Sequence, residues 1–336
     1  MSRQGRLPVV LPPESDERLS SWLDRLARFY AMTVPEFLAE FGLPGRDVFD
    51  LEWMPGAGEG ARIAGRTGLS DAELQAMSFR EITPEARMMI ARTSRHHCPL
   101  CPADVKRRAT AFPWTFQCPV HGIDYRTAAG ATLSEIFGAA RFMALDAAAK
   151  AGAAHLAIWA RGEAQGEPGP VKMLTFLTAR HRRASPPSVS EQPRLSLQAR
   201  RDHHDFLTMP IVRQALAVVV PDYDHVAPVL AKPVRPGRHG LSQGSLLQAY
   251  ALTVGIGRLT EDPVDQATAV LLASDADGEE RLRAALKSWP LPLRRRISAR
   301  LWRAQRDERD RKIAQKVARP RQSQKLRLVQ SHRYRG

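Results

Sequence analysis

The sequence predicts a mainly α-helical protein with one small metal-binding ribbon. Apolar residues recur every three to four positions in most segments, which is the periodicity of one buried helix face. Three helix starts are marked by Ser or Thr followed three residues later by Glu, at Thr33, Ser70 and Thr132, and others by Pro in the first turn. Outside the ribbon, no strand-rich region is predicted. The expected architecture is therefore helix-turn-helix-like N-terminal helices, a zinc ribbon, and an all-helical C-terminal domain.

The first two predicted helices are short and closely spaced. We expect the first to begin near Ser15 and Asp16, after a proline-rich entry, and to bury one apolar face. Thr33 and Glu36 have the spacing of a capping box, which places the start of the second helix there. Gly42 ends that helix. Two short helices with so tight a break have the outline of a helix-turn-helix unit.

A second pair of helices follows with the same outline. Residues 54–60 are predicted to form a Gly-rich loop, and helices are expected over 60–67 and 70–78. One more helix is predicted from Thr83 to about Arg92. Most helix pairs of this kind are packing units, so DNA readout by the second pair is the alternative interpretation.

All three cysteines of the chain fall in two knuckles of equal spacing. Cys98 and Cys101 form a C-x-x-C motif, and Cys118 and His121 form a C-x-x-H motif. Two such knuckles supply the four ligands of a closed tetrahedral zinc site. Three cysteines cannot all pair in disulfides, and a redox C-x-x-C is not accompanied by a matching C-x-x-H. We therefore predict one Zn²⁺ held in a ribbon over residues 94–127.

The predicted zinc is structural, because four protein ligands leave no position for water or substrate. His96 and His97 lie beside the first knuckle but do not fit its spacing. They are interpreted as groups that support the ligands or lie on the surface. A small ribbon with little core of its own gains much of its stability from such a metal.

The rest of the chain is predicted to be helical. Residues 1–93 form the N-terminal helical part, 128–183 a helical extension, 184–196 a linker, 197–318 the C-terminal helical domain and 319–336 a basic tail. In the extension, one helical stretch over 133–159 is expected, interrupted at Gly138 and Gly152. Ser242 and Asp262 are candidate N-caps. Beyond the linker, helices are expected at about 203–219, 223–231, 242–256, 263–274, 279–288 and 292–318.

Positive charge is concentrated at the C-terminus. The chain has a net charge of +15, and residues 294–336 contain sixteen Lys and Arg against three acids, a net +13. Such a segment commonly contacts nucleic acid phosphates, although a solubilising tail has the same composition. Leu293, Ile297 and Leu301 form the apolar stripe of the last helix, which Pro320 is expected to end. The predicted nucleic-acid-binding residues are Arg294, Arg295, Arg296, Arg300, Arg303, Arg319, Arg321, Lys325 and Arg327.

The chain shows no motif typical of an enzyme. Phosphate-binding loops, the dinucleotide-binding glycine pattern and the nucleophile elbow of hydrolases are absent from the sequence. Residues 202–205 form a dense Asp and His cluster, but four successive residues of a helix point around its axis and cannot converge on a metal. No apolar stretch predicts a membrane span or a secretory signal. We expect a protein that is not an enzyme.

The N-terminal motifs resemble the TniQ/TnsD family. Residues 11–27 resemble its opening signature, a proline-led segment followed by an acidic-Ser-Trp helix that includes Trp22 and Arg25. Residues 95–101 and 118–122 are similar to its zinc-finger block in order and distance. Many relatives have a further cysteine pair after this block. No cysteine follows here, so one zinc is expected.

The resemblance implies a bacterial protein that selects target sites in transposition. Its implied role is a non-catalytic adaptor between a target and an AAA+ ATPase regulator, which recruits the transposase. The predicted partners are DNA and that ATPase, with a CRISPR effector complex and a second copy of the chain as further candidates and no membrane. We expect a cytoplasmic, nucleoid-associated protein. The alternative is a stand-alone DNA-binding regulator with a zinc ribbon and helix-turn-helix.

Overall fold

A computed structural model describes the chain in several ranges and confirms that it is mainly helical. The chain divides into two compact units, Met1–Ala179 with Gln214–Glu261, and Arg180–Arg213 with Asp262–Gly336. The predicted linker at 184–196 and the polar cluster at 202–205 lie outside the described residues. The described ranges are 5–53, 56–92, 96–127, 129–163, 166–182, 212–226 and 234–333.

The first unit begins with a group of short helices around one apolar core. Trp22, Leu26, Phe37 and Phe41 are buried in it, and the Trp22 indole N–H donates to the carbonyl of Leu11 at 2.8 Å. The helices are α1 (Leu19–Phe29), α2 (Val34–Glu40), α3 (Val48–Trp53), α4 (Ala57–Thr67), α5 (Asp71–Met77) and α6 (Pro84–Arg87).

The first helix begins later than the sequence predicts. It starts at Leu19 and not near Ser15 or Asp16. Asp16 has a φ of 56°, in the left-handed region that a helix cannot include. The backbone before Leu19 instead forms hydrogen bonds with residues of the ribbon: Arg108 N–H donates to the Asp16 carbonyl at 2.6 Å. A long-range pairing therefore replaces the first helical turn.

The predicted caps of the next helices are confirmed, while two boundaries differ. Thr33 and Glu36 form a capping box at the start of α2, and Ser70 and Glu73 form another at α5. The expected loop at 54–60 is shorter, because α4 begins at Ala57. The expected helix to Arg92 ends as α6 at Arg87. There the chain leaves the helical path, and Ala91 N–H donates to the Ala111 carbonyl at 2.9 Å.

The ribbon segment is held by a small antiparallel sheet. Strand β1 (His96–His97) pairs with β2 (Arg126–Thr127), and Gln117 bridges to Asp124 within the same segment. A 3-10 turn at Ala109–Ala111 lies between the two knuckles.

A close pair of long helices builds the rest of the first unit. Thr132 and Glu135 cap α7 (Leu133–Phe137) as predicted, and Gly138 separates it from α8 (Ala139–Ala160). Gly152 does not interrupt α8, contrary to the prediction. It lies where α8 packs on α13 (Leu246–Glu261), and a Cβ there would collide with the carbonyl of Thr253. The glycine permits close backbone approach of two helices.

Shorter helices complete this unit. The expected helix at 242–256 is divided at Gly244, and Ser242 lies inside a helix instead of capping one. Ser245 takes the capping role, since its Oγ accepts from Gln248 N–H at 3.3 Å. The described part of the helix predicted at 203–219 begins only at Ala215. The helices are α9 (Pro170–Leu177), α10 (Ala215–Val219), α11 (Pro221–Val226) and α12 (Arg238–Gln243).

The second unit contains three helices in its described part. Asp262 caps α14 (Pro263–Leu272) as predicted, with its Oδ1 accepting from Asp265 N–H at 3.0 Å. The others are α15 (Ala276–Leu286) and α16 (Leu291–Arg333). Two short strands also pair, β3 (Arg180–Arg182) and β4 (Val212–Gln214).

Helix α16 extends beyond the expected end. Ile297 and Leu301 are buried against α14, as the apolar stripe predicts, whereas residues 305–315 are exposed. Pro320 does not end the helix, which continues to Arg333. Proline removes one backbone hydrogen bond, and the strong helix formers that follow it continue the helical path. Among the described residues, no helix is both long and apolar enough to cross a membrane.

Candidate metal centre

The fold brings the four predicted ligands together. The Sγ atoms of Cys98, Cys101 and Cys118 and a ring nitrogen of His121 lie within 4.8 Å of one another. The Nδ1 atom of His121 is 3.4 Å from Cys98 Sγ, 3.4 Å from Cys101 Sγ and 3.6 Å from Cys118 Sγ. Cys101 Sγ and Cys118 Sγ are 3.7 Å apart. These four residues can hold a metal ion.

The separations fit a tetrahedral ion. Zinc ligands at about 2.3 Å for sulfur and about 2.0 Å for nitrogen, arranged tetrahedrally, place two sulfurs about 3.8 Å apart and sulfur and nitrogen about 3.5 Å apart. The observed distances agree with both values. In the described part of the chain this is the one group of His, Cys and acidic side chains close enough to bind a metal.

The sulfur environments differ between the two knuckles. Burial opposes ionisation of Cys118, but the backbone N–H groups of His121 and Val120 outweigh it and lower the pKa of this thiol. Burial and the neighbouring sulfurs raise the pKa of the Cys101 thiol to about 11. Three thiols placed this closely need a cation to neutralise their thiolates, which is the donor set that Zn²⁺ prefers.

His96 does not join the four ligands. Its side chain is buried, and its ring centroid lies 4.7 Å from that of Tyr125. Burial lowers its pKa to about 4. His97 is exposed. His96 therefore packs against Tyr125 behind the knuckles, whereas His97 lies on the surface.

Arg107 connects the metal centre to the start of α1. Its Nε donates to Cys101 Sγ at 3.4 Å, and its guanidinium also donates to the carbonyl of Ser15. The side chain is buried, with an ion pair of 3.9 Å to Glu14 at the surface. The sequence did not indicate this residue, because its partners Ser15 and Glu14 are separated from it by more than ninety positions.

The backbone after the first knuckle pairs with the same segment. Arg18 N–H donates to the Lys106 carbonyl at 3.0 Å, and Lys106 N–H donates to Ser21 Oγ at 2.9 Å. Ala109 N–H donates to a carboxylate oxygen of Asp16 at 2.9 Å. Burial raises the pKa of Asp16. The first knuckle is thus attached to the sequence just before and within α1.

Two ion pairs with buried carboxylates fix the chain before α1 and its first turn. The first joins Glu17 and Arg25 at 2.7 Å, and Ser21 Oγ donates to the same carboxylate at 3.0 Å. Hydrogen bonding to Glu17 raises the pKa of Arg25. Arg25, whose role in the signature the sequence left open, therefore holds the carboxylate that orients the start of α1.

The second pair joins Arg18 to Glu52 of α3 at 2.6 Å, with side chains 2% and 0% exposed. Glu52 also accepts from Ser20 N–H at 3.0 Å, and the Arg18 guanidinium donates to the Arg92 carbonyl at 3.1 Å. The Arg18 guanidinium also lies over the ring of Phe79, with its Cζ atom 5.4 Å from the ring centroid. A single arginine therefore joins α1, α3 and the chain that enters β1.

The predicted nucleic-acid-binding residues lie along α16. Arg295, Arg296 and Arg303 are exposed, and none has a carboxylate within 4.0 Å among the described side chains. Arg300 pairs with Asp265 at 3.1 Å, and Arg294 is half-buried. Four further residues lie on the part of α16 whose backbone alone is described: Arg319, Arg321, Lys325 and Arg327.

Comparison with known proteins gives one match. Residues 8–124 match the family model described as TniQ. The matched range begins before α1 and includes both knuckles and all four side chains of the two buried ion pairs. No curated protein and no solved structure matches the chain.

We predict that the metal supports the folding of the knuckles. Cys118→Ser should release about one equivalent of zinc and lower the thermal stability of the protein, because loss of a ligand removes metal-binding free energy from folding. Metal content by mass spectrometry and circular dichroism melting test this. The exposed neighbour His97 provides the control, and His97→Asn should retain the metal. Stoichiometric zinc in a Cys98→Ser/Cys118→Ser protein would refute the ligand assignment.

We also predict that the Arg18–Glu52 pair is sensitive to loss of one partner. Glu52→Gln should lower the free energy of unfolding by about 3–5 kcal/mol, because it leaves a buried guanidinium without its counter-charge. Chemical denaturation measures this. The exposed pair of Arg28 and Asp24 is the matched control, and Asp24→Asn should cost about 0.5 kcal/mol or less. Equal, small losses for the two variants would contradict the assignment.

Proposed function

The chain carries a TniQ domain over residues 8–124, and from this premise we propose that it is a non-catalytic adaptor in transposition. In this role it links target DNA, or a targeting complex on DNA, to an AAA+ regulator and through it to the transposase. The observation that carries the proposal is the family match over the segment that builds the metal centre. The match also supports a role without catalysis.

Within this function, we assign the four-residue cluster to one structural Zn²⁺ bound by Cys98, Cys101, Cys118 and His121. Its support is the tetrahedral spacing of the ligand atoms and the soft donor set. When bound, the ion neutralises the thiolates and cross-links the two knuckles. The residues around it position the ligands: Arg107 donates to Cys101 Sγ, and the backbone amides of the second knuckle face Cys118.

DNA is the proposed target of the basic helix α16. Arg295, Arg296 and Arg303 are exposed and form no ion pair with a described carboxylate, so they offer charge to phosphates, an attraction that does not depend on base sequence. The AAA+ regulator is the second proposed partner, and a CRISPR effector complex or a second copy of the chain are further candidates. We propose a bacterial cytoplasmic protein associated with the nucleoid.

The adaptor role predicts a complex of three components. The full chain should copurify with the AAA+ ATPase encoded beside its gene, in the presence of ATP and double-stranded DNA. The Cys118→Ser variant is the control for dependence on the folded metal centre. Absence of binding to that ATPase, with and without DNA, would refute the adaptor role. Tight binding to its own promoter in the same experiments would support the alternative of a stand-alone regulator.

The DNA contact of α16 predicts a change in salt dependence. Changing Arg295, Arg296 and Arg303 together to Gln should weaken binding to a duplex of arbitrary sequence. The slope of log K against log salt should fall by about 0.9 for each lost phosphate contact. Arg283→Gln is the control, because this exposed arginine is paired with Glu279 on α15. An unchanged slope in the triple variant would show that this part of α16 does not contact DNA.

A further inference from the structure

Three arginines of the first unit lie on or beside α4. Arg62 and Arg66 are four residues apart, so they lie on the same helix face with Cβ atoms about 5–6 Å apart. The N-terminal segment runs along the end of this helix, because Leu7 N–H donates to the Arg66 carbonyl at 2.8 Å. That pairing brings the Arg6 guanidinium against Gly68, where an added Cβ would lie 3.0 Å from its Nε. We call these three residues the arginine face.

The arginine face forms no ion pair with the acidic side chains that the structure describes. Among the described residues, none of its members has a carboxylate within 4.0 Å. Glu59, one turn before Arg62, forms its ion pair with Arg46 at 2.6 Å and interacts with Arg62 only electrostatically, without an ion pair. The following helix, α5, carries acids, but each has another partner. Asp71 pairs with Arg80 at 3.2 Å, and Glu73 accepts from Ser70 as part of a capping box.

Contacts with backbone and aromatic groups hold two of these arginines in place. Arg66 donates to the Gly5 carbonyl at 2.6 Å and lies over the ring of Phe41 at 5.8 Å. The Arg66 Nε atom is buried and has no hydrogen-bond partner within the described part of the chain. Arg62 donates to the carbonyl of Gly42, which has a φ of 71°. A guanidinium has five N–H donors, so each retains donors for a ligand.

Like charges this close repel one another. Two cations at positions i and i+4 of a helix, such as Arg62 and Arg66, destabilise it. A polyanion relieves this repulsion, and planar guanidinium groups match phosphate oxygens in a bidentate manner. The cluster is therefore suited to phosphodiesters.

We propose that the arginine face binds the phosphate backbone of double-stranded DNA. The inference rests on the proposed function, in which DNA is a partner, and it adds a DNA contact in the first unit to the one proposed for α16. It also limits how the helix pair α4 and α5 is used. The positive charge lies on α4 and the N-terminal segment, whereas the exposed acids Asp71 and Glu73 at the start of α5 would repel a duplex. The contact therefore positions the protein on DNA without reading bases through α5.

The test uses the full chain with Arg6, Arg62 and Arg66 changed to Gln. Gln keeps a polar side chain of moderate length but removes the charge. DNA affinity is measured at several salt concentrations with a duplex of arbitrary sequence. We expect weaker binding and a slope of log K against log salt reduced by about 0.9 per lost contact. Arg28→Gln on α1 is the control, and the triple Arg→Lys variant should retain most of the slope.

The outcomes separate this inference from the proposed function. If the folded triple variant, with wild-type melting temperature and metal content, keeps the wild-type slope, the arginine face is not a DNA contact and the proposal fails alone. If the wild-type chain binds no duplex at low salt, the DNA part of the proposed function fails first. Preference for single-stranded RNA over duplex DNA would also overturn the proposal. Should the triple variant lose stability, Arg62→Glu alone must lower the slope by at least 0.9.

Discussion

The buried pair of Arg18 and Glu52 is the constraint on which the segment matching the TniQ model, residues 8–124, depends. Neither side chain is exposed to solvent, so each charge must be neutralised inside the protein. Glu52 also accepts from Ser20 N–H, which fixes α3 against the start of α1. The Arg18 guanidinium donates to the carbonyl of Arg92, in the chain that leads into β1. A buried pair of this kind gives little net stability over an apolar contact, but it strongly disfavours arrangements that separate its partners.

The metal centre depends on the same segment. The backbone of residues 98–125 forms hydrogen bonds with residues 15–21 as well as within its own segment. Arg107 then links a ligand sulfur to the Ser15 carbonyl. Helix α1, with the residues before it, and the two knuckles are therefore two parts of one folding unit. This agrees with a family match that spans both. A metal bound here would stabilise the start of α1 as well as the ribbon.

Local features of this chain could be predicted from the sequence, and long-range ones could not. The capping boxes at Thr33, Ser70 and Thr132 follow from short spacing rules, and the four ligands follow from the repeat of the knuckle. The start of α1 was predicted too early because its first turn is replaced by pairing with Arg108, a contact across ninety residues.

Other errors have the same origin. Gly152 has the sequence character of a helix breaker, yet it lies within α8 because α13 approaches its backbone. Arg107 and Glu52 are ordinary charged residues in the sequence, and only the fold shows that both are buried. The arginine face is another example, since Arg6 comes to lie beside the end of α4 only when the N-terminal segment pairs with Arg66.

The central claim is that the start of α1 and the metal knuckles fold as one unit. Hydrogen exchange of the full chain before and after chelation of the metal tests it most directly, because exchange reports the opening of each segment separately. The account predicts that amide protection falls together in residues 98–125 and 15–27, while α8 and α13 keep theirs. Loss of protection confined to 98–125, with α1 unchanged, would contradict it.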